Sequence, residues 1–130
     1  MYAPLSDPAK LYQSSAAEHA VDTDDGYTLI RKLLTRLMAR LGMARHCLSE
    51  NNVASKGEHL TRAIEIISVL QVAIDEQHSP ELAGNLVSLY DYAARRLLHA
   101  NLHNDLAALD EVEGLLREVK DAWDAIAPNE

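Results

Sequence analysis

Phenylalanine is absent from this 130-residue chain, cysteine occurs once, and glycine and proline occur only five and four times. A single cysteine, Cys47, excludes an internal disulfide framework and suits a reducing compartment, so a cytoplasmic protein is expected. No apolar stretch approaches the length that spans a bilayer, and residues 1–20 hold no run of signal-peptide length, so no membrane insertion is expected. Basic residues are also scarce: 12 Lys and Arg against 20 Asp and Glu leave a net charge of −8. A surface of that sign repels phosphate and excludes general nucleic-acid binding. There is no GxSxG, no glycine-rich loop and no Cys-His pairing at a recognised spacing. No two carboxylates divide the work of acid and base; Asp91 and the acids near the C-terminus read as surface residues. The chain is therefore expected to be no enzyme, with no catalytic residue and no cofactor.

What the chain has is alanine, leucine and a helical period. The composition is 48% apolar and 25% charged, the proportions of a folded domain with one core. From Tyr27 onward, Ile30, Leu34, Leu37, Leu41, Ala44 and Leu48 follow spacings of 4, 3, 4, 3 and 4, one apolar seam along a helix. Asp25 is the expected N-cap, and Asn51-Asn52 marks the end. Ser55 and Glu58 have capping-box spacing and announce a second helix with the seam Leu60, Ala63, Ile67, Leu70 and Ile74. Ser79-Pro80 starts a third, with the seam Leu82, Leu86, Leu89, Ala93, Leu97 and Ala100. Asn104-Asp105 ends it and opens a fourth, carrying Leu109, Val112, Leu116, Val119, Trp123 and Ile126. The pattern predicts an all-α protein, an antiparallel up-down four-helix bundle over residues 25–127. Residues 1–24, with Pro4, Pro8 and a Ser-Ser pair, read as a flexible N-terminal segment with a short helix around 9–20. Fast hydrogen exchange is expected for residues 1–20 and slow exchange for the helices.

Two features exceed a plain bundle. Ile66, Val69 and Ala73 on the second helix, and Val87, Ala94 and Leu98 on the third, widen the apolar face beyond one stripe. A central place in the bundle accounts for that, and so does an exposed groove for a partner helix. The first helix also carries Arg31, Lys32, Arg36, Arg40 and Arg45 and no acid, so the remainder of the chain carries −8 − 5 = −13. The preferred reading is a solvated basic face balanced by acidic neighbours, with membrane-surface binding as its rival.

His99 and His103 stand four residues apart, on one face of a helix, as in many zinc sites. A zinc ion needs three or four ligands with support behind them. Asp105 lies beyond the helix end, and His19, His46, His59 and His78 have no local partner at ligand spacing. Imidazoles in the last turns of a helix complement its C-terminal dipole, so no metal is expected. A phosphorelay histidine would be followed by a lysine-glycine pair, and neither histidine is.

An ordered set of short elements carries a resemblance. They are Leu89-Tyr90-Asp91-Tyr92, Arg95-Arg96, Ala100-Asn101, Asn104-Asp105 and Ala122-Trp123, with KGEHLTRAIEIISVL at 56–70 and Tyr12-Gln13 upstream. Together they cover most of residues 10–126 and closely resemble the flagellar secretion chaperones of the FliS type. The chain departs from the family at Leu34-Thr35-Arg36, where tyrosine-aspartate-glycine is usual, and at Asp25-Gly26, where serine-proline is usual.

The resemblance implies a cytoplasmic export chaperone. Such a protein binds the disordered C-terminal segment of flagellin, prevents premature polymerisation and delivers it to the flagellar type III export gate. It assigns the wide apolar faces to the flagellin groove, with Leu33, Leu37, Ile66, Val69, Leu98 and Asn101 as candidates. Leu11 and Tyr12 are candidates for an N-terminal cap or export-gate docking. Tyr90, Arg96 and Trp123 read as residues that hold the fold. The competing class is a non-catalytic bundle acting as a regulatory adaptor.

Overall fold

The structure is a computed structural model, and it describes residues 26–126 apart from 76 and 78. Four helices fill it: α1 (Gly26–Ser49), α2 (Val53–Val72), α3 (Pro80–His103) and α4 (Leu106–Asp124). They form a closed ring in which α1 packs on α2 and α4, and α3 packs on the same two helices from the other side. The joints are too short for anything but antiparallel neighbours, and the predicted bundle is what forms. None of the described helices is long and apolar enough to cross a membrane. The expected flexible segment 1–24, the expected N-cap of α1, Asp25, and the candidates Leu11 and Tyr12 lie outside the described residues.

The seams meet at the bundle axis. Ile30, Leu34, Leu37, Leu41 and Ala44 of α1 are buried against Leu60, Ala63, Ile67 and Leu70 of α2 and their counterparts on α3 and α4. Leu48 and Leu82, at helix ends, are only partly covered. The start of α2 differs from the expected capping box. Asn51 takes a left-handed turn (φ 59°), and Asn52 becomes the N-cap, its side-chain oxygen accepting from the Ser55 amide at 3.3 Å. The helix begins three residues earlier than expected, because asparagine both tolerates the reversed backbone and caps well. Ser79 precedes Pro80 at the start of α3 without a side-chain cap bond. Asn104 closes α3 in the left-handed conformation (φ 50°), and Asp105 at once caps α4 through the Ala108 amide at 3.1 Å.

One end of the ring is closed by aromatic packing. The Tyr27 and Trp123 rings stack with centroids 5.0 Å apart and planes 17° off parallel. The indole N–H donates to the Tyr27 carbonyl and the tyrosine hydroxyl donates to the Trp123 carbonyl, each at 3.2 Å.

The other end is pinned by a lysine that the sequence pattern gave no reason to bury. Lys56 is 2% exposed. Its ammonium donates to the Asn101 carbonyl at 2.8 Å and to Asn104 Oδ1 at 2.6 Å. Asn101 is in the last turn of α3, where carbonyls lack helical partners and the helix dipole favours a cation. A single side chain thus satisfies an orphan carbonyl and holds the residue that reverses the chain. Lys56→Met is expected to cost about 1–3 kcal/mol, the range for losing charge-assisted hydrogen bonds from a buried site. Urea unfolding measures it; an unchanged midpoint would show that the pin contributes nothing.

Candidate partner-binding surfaces

The sequence-level candidates divide over different surfaces. Leu37 has no exposed area at all. It belongs to the core seam, because its place in the 3-4 repeat aims it at the bundle axis, and it is withdrawn from the surface set. Leu33 and Ile66 are half-buried and line a cleft of about 560 Å³ between α1 and α2. Asn101 is half-buried on the other side of α2: a Cβ built on Gly57 would meet its side-chain oxygen at 3.6 Å. Gln71 reaches from α2 to the Val87 carbonyl at 3.0 Å on that same side.

Val69 and Leu98 are the exposed members, at 53% and 51%. At 3.6 residues per turn, Val69 lies on the outer face of α2, past Ile66, while Leu98 lies on the α2-facing flank of α3 between Ala94 and Asn101. Val72 (78%) and Leu102 (79%), which no sequence pattern marks, continue these two faces. With Val53 at the start of α2 (52%), five large apolar side chains thus stay uncovered on the adjacent helices α2 and α3. Val72 and Leu102 lie outside the seams, and only the positions of the neighbouring helices reveal that nothing covers them.

The basic face of α1 is partly balanced, as expected. Arg45 pairs with Asp110 and Glu113 of α4, and Arg31 approaches Asp124 at 3.9 Å. On the α2 side, Arg40 instead donates to His59 Nδ1 at 2.9 Å, which makes that nitrogen the acceptor of the imidazole.

Between α3 and α4, Glu111 receives the Tyr92 hydroxyl at 2.6 Å and the Arg96 guanidinium at 3.0 Å. Both bonds favour the ionised carboxylate, the tyrosine bond first, and hold its pKa below the ordinary glutamate value. The same bond raises the Tyr92 pKa, since the phenol must keep its proton to donate. The sign for Glu111 follows: the stabilisation is full above the unfolded-state pKa and fades as pH falls through the lowered folded-state value. Glu111→Gln should therefore lower the melting temperature slightly at neutral pH, the pair being solvent-exposed, and converge on the parent as pH falls, which flattens the acid limb. An unchanged acid limb would count against this assignment.

His99 and His103 do meet, with ring centroids 4.6 Å apart. Asp105 also comes back to the pair, with Oδ2 at 3.2 Å from His99 Nε2, because the left-handed Asn104 folds the chain over. The aspartate's first use is the α4 cap: the Ala108 amide is the main cause of its lowered pKa, with His99 contributing. Among the described residues no three His, Cys, Asp or Glu side chains converge as metal ligands would.

The family model described as flagellar protein FliS matches residues 8–130. The flagellar secretion chaperone FliS of Salmonella typhimurium is 42% identical over 120 residues, covering 92% of this chain and 89% of that one. The flagellar secretion chaperone FliSB of Pseudomonas aeruginosa is 41% identical over 118 residues, covering 91% and 94%. The corresponding Escherichia coli chaperone is 40% identical over 124 residues, covering 95% and 90%. A match of this length places the chain in the FliS family of flagellar secretion chaperones.

Proposed function

We propose that the protein is a cytoplasmic, non-catalytic export chaperone for flagellin. It binds the C-terminal segment of flagellin, prevents its premature polymerisation and delivers it to the flagellar type III export gate. The observation that carries this reading is the set of uncovered apolar side chains on adjacent helices, Val69 and Val72 on α2 with Leu98 and Leu102 on α3. A segment that is disordered alone gains a folded state by laying apolar residues on such a surface, and the ordering entropy limits the affinity. Asn101 sits beside that surface, with polar groups that can fix the register of a bound backbone. Leu33 and Ile66 extend the candidate set onto the α1–α2 side. Leu11 and Tyr12 are proposed for the N-terminal cap or for docking at the gate.

Titration of the full-length protein with a flagellin C-terminal peptide tests the proposal. Saturable binding of one peptide per chain, together with delayed flagellin polymerisation, is the expected result. Absence of binding, with copurification of some unrelated regulatory protein, would favour the adaptor class.

A further inference from the structure

We propose, resting on flagellin as the client, that Gly57 and Lys56 of α2 are positioning residues: they hold the Asn101 side-chain amide open to a main-chain peptide group of the bound segment. The two asparagines at the end of α3 are used differently. Asn104 Oδ1 is taken by the Lys56 ammonium at 2.6 Å. The same ammonium takes the Asn101 carbonyl at 2.8 Å, which ties the Asn101 backbone to α2. The Asn101 side chain itself makes no hydrogen bond among the described residues, although it is half-buried. Its oxygen lies over Gly57, where a Cβ would stand 3.6 Å away. Alanine therefore fits there at ordinary contact distance, and any longer side chain reaches into the space of the amide. Glycine is a poor helix former, and its use in the second turn of α2 leaves that space free.

The surroundings select what the amide meets. Leu98, one turn before Asn101, and Val53, one turn before Gly57, are both exposed, so the amide stands among apolar side chains of two helices. The nearby Lys56 charge is buried on two oxygens. A client charge set against this place would lose water without gaining a counter-ion. A carboxamide offers one acceptor and two donors, the complement of a peptide C=O and N–H. Contact with the client's main chain tolerates varied client side chains, yet it fixes how far the segment can slide along the apolar surface. Peptide groups inside a helix are already paired, so the group met lies at a helix end or in an extended stretch of the client.

The test is a double-mutant cycle between the full chain and a flagellin C-terminal peptide whose main-chain amides are replaced by esters one at a time. Each ester removes one N–H and weakens one carbonyl without changing a side chain. One or two adjacent esters should weaken binding to the parent roughly three- to tenfold, the range for one or two neutral hydrogen bonds. Those esters should cost nothing further in Asn101→Ala, whose melting should stay close to the parent because that side chain bonds to nothing within the chain. Gly57→Ala should keep the ester effect. Gly57→Leu, and Lys56→Met measured below its melting midpoint, should lose it while circular dichroism shows the helices intact. A merely structural role would lower melting and leave the ester effect in the folded protein unchanged. Ester effects that persist in Asn101→Ala overturn the proposal, and so does an Asn101→Ala loss that follows one polar side chain of the peptide instead. An ester effect kept in full by Gly57→Leu or by Lys56→Met overturns the positioning role of that residue. Failure of the unmodified peptide to bind overturns the flagellin reading together with this one, whereas binding with no ester effect tied to Asn101 overturns this one alone.

Discussion

Trp123→Ala is expected to lower the free energy of unfolding by about 3–5 kcal/mol, the cost of emptying a large buried aromatic site. Trp123 is 1% exposed and stacks on Tyr27, whose hydroxyl and carbonyl both bond to it. The two residues are separated by nearly the whole described chain and join the first helix to the last. Removal of the indole takes one donor from the Tyr27 carbonyl and opens a void at that end of the ring. Trp123→Phe should cost less, because a ring remains to stack and the chief loss is one hydrogen bond of about 1 kcal/mol plus a smaller volume. Since this is the single tryptophan of the chain, unfolding has to be followed by far-ultraviolet circular dichroism rather than tryptophan fluorescence. A midpoint for the alanine variant within error of the parent would mean that the α1–α4 contact carries no stability.

Val69→Asp and Leu98→Asp are each expected to weaken binding of a flagellin C-terminal peptide by about 1–3 kcal/mol, by setting an unpaired polar group against an apolar client. Both side chains are about half exposed in the free protein. Melting should therefore move little, as for surface substitutions away from caps and core. Leu37→Asp is the contrast: at 0% exposure it places a carboxylate in the core and should unfold the bundle. Calorimetry on the parent should give a clearly negative heat-capacity change and weak salt dependence, the signature of apolar burial. If both exposed variants stay folded and bind at full strength, this client surface is wrong. If they melt early, they belong to the core after all.

The second stripes on α2 and α3 explain why the site was only half legible. Ile66 and Val69 are both apolar and three residues apart, yet one is half-buried beside α1 and the other open to solvent. Periodicity gives the angle of each residue around its own helix, whereas exposure depends on how near the neighbouring helix lies at that angle. Leu37 shows the converse. The resemblance makes it a candidate for contact with flagellin, yet its position in the seam aims it inward, and the ring of helices covers it fully. Lys56 was hidden for another reason. A lysine near a helix start reads as solvated, and only the approach of the α3 C-terminus supplies the carbonyl and the Asn104 oxygen that make its burial tolerable.

The family was legible from an ordered set of short elements, Leu89-Tyr90-Asp91-Tyr92 to Ala122-Trp123, that resembles it. By itself the sequence also determined that there would be four helices, where their apolar seams run and where the α3–α4 joint falls. These follow from local rules: a 3.6-residue period, the backbone tolerance of Asn and the capping power of Asp and Asn within one turn. The tertiary structure alone decided which apolar residues remain uncovered, which arginines of α1 find acids on α4 and which do not, and that Asp105 returns to His99. Each of these depends on a distance between groups on different helices or across a reversed turn. Such a distance is set by the packing of the whole ring, and no window of neighbouring residues contains it.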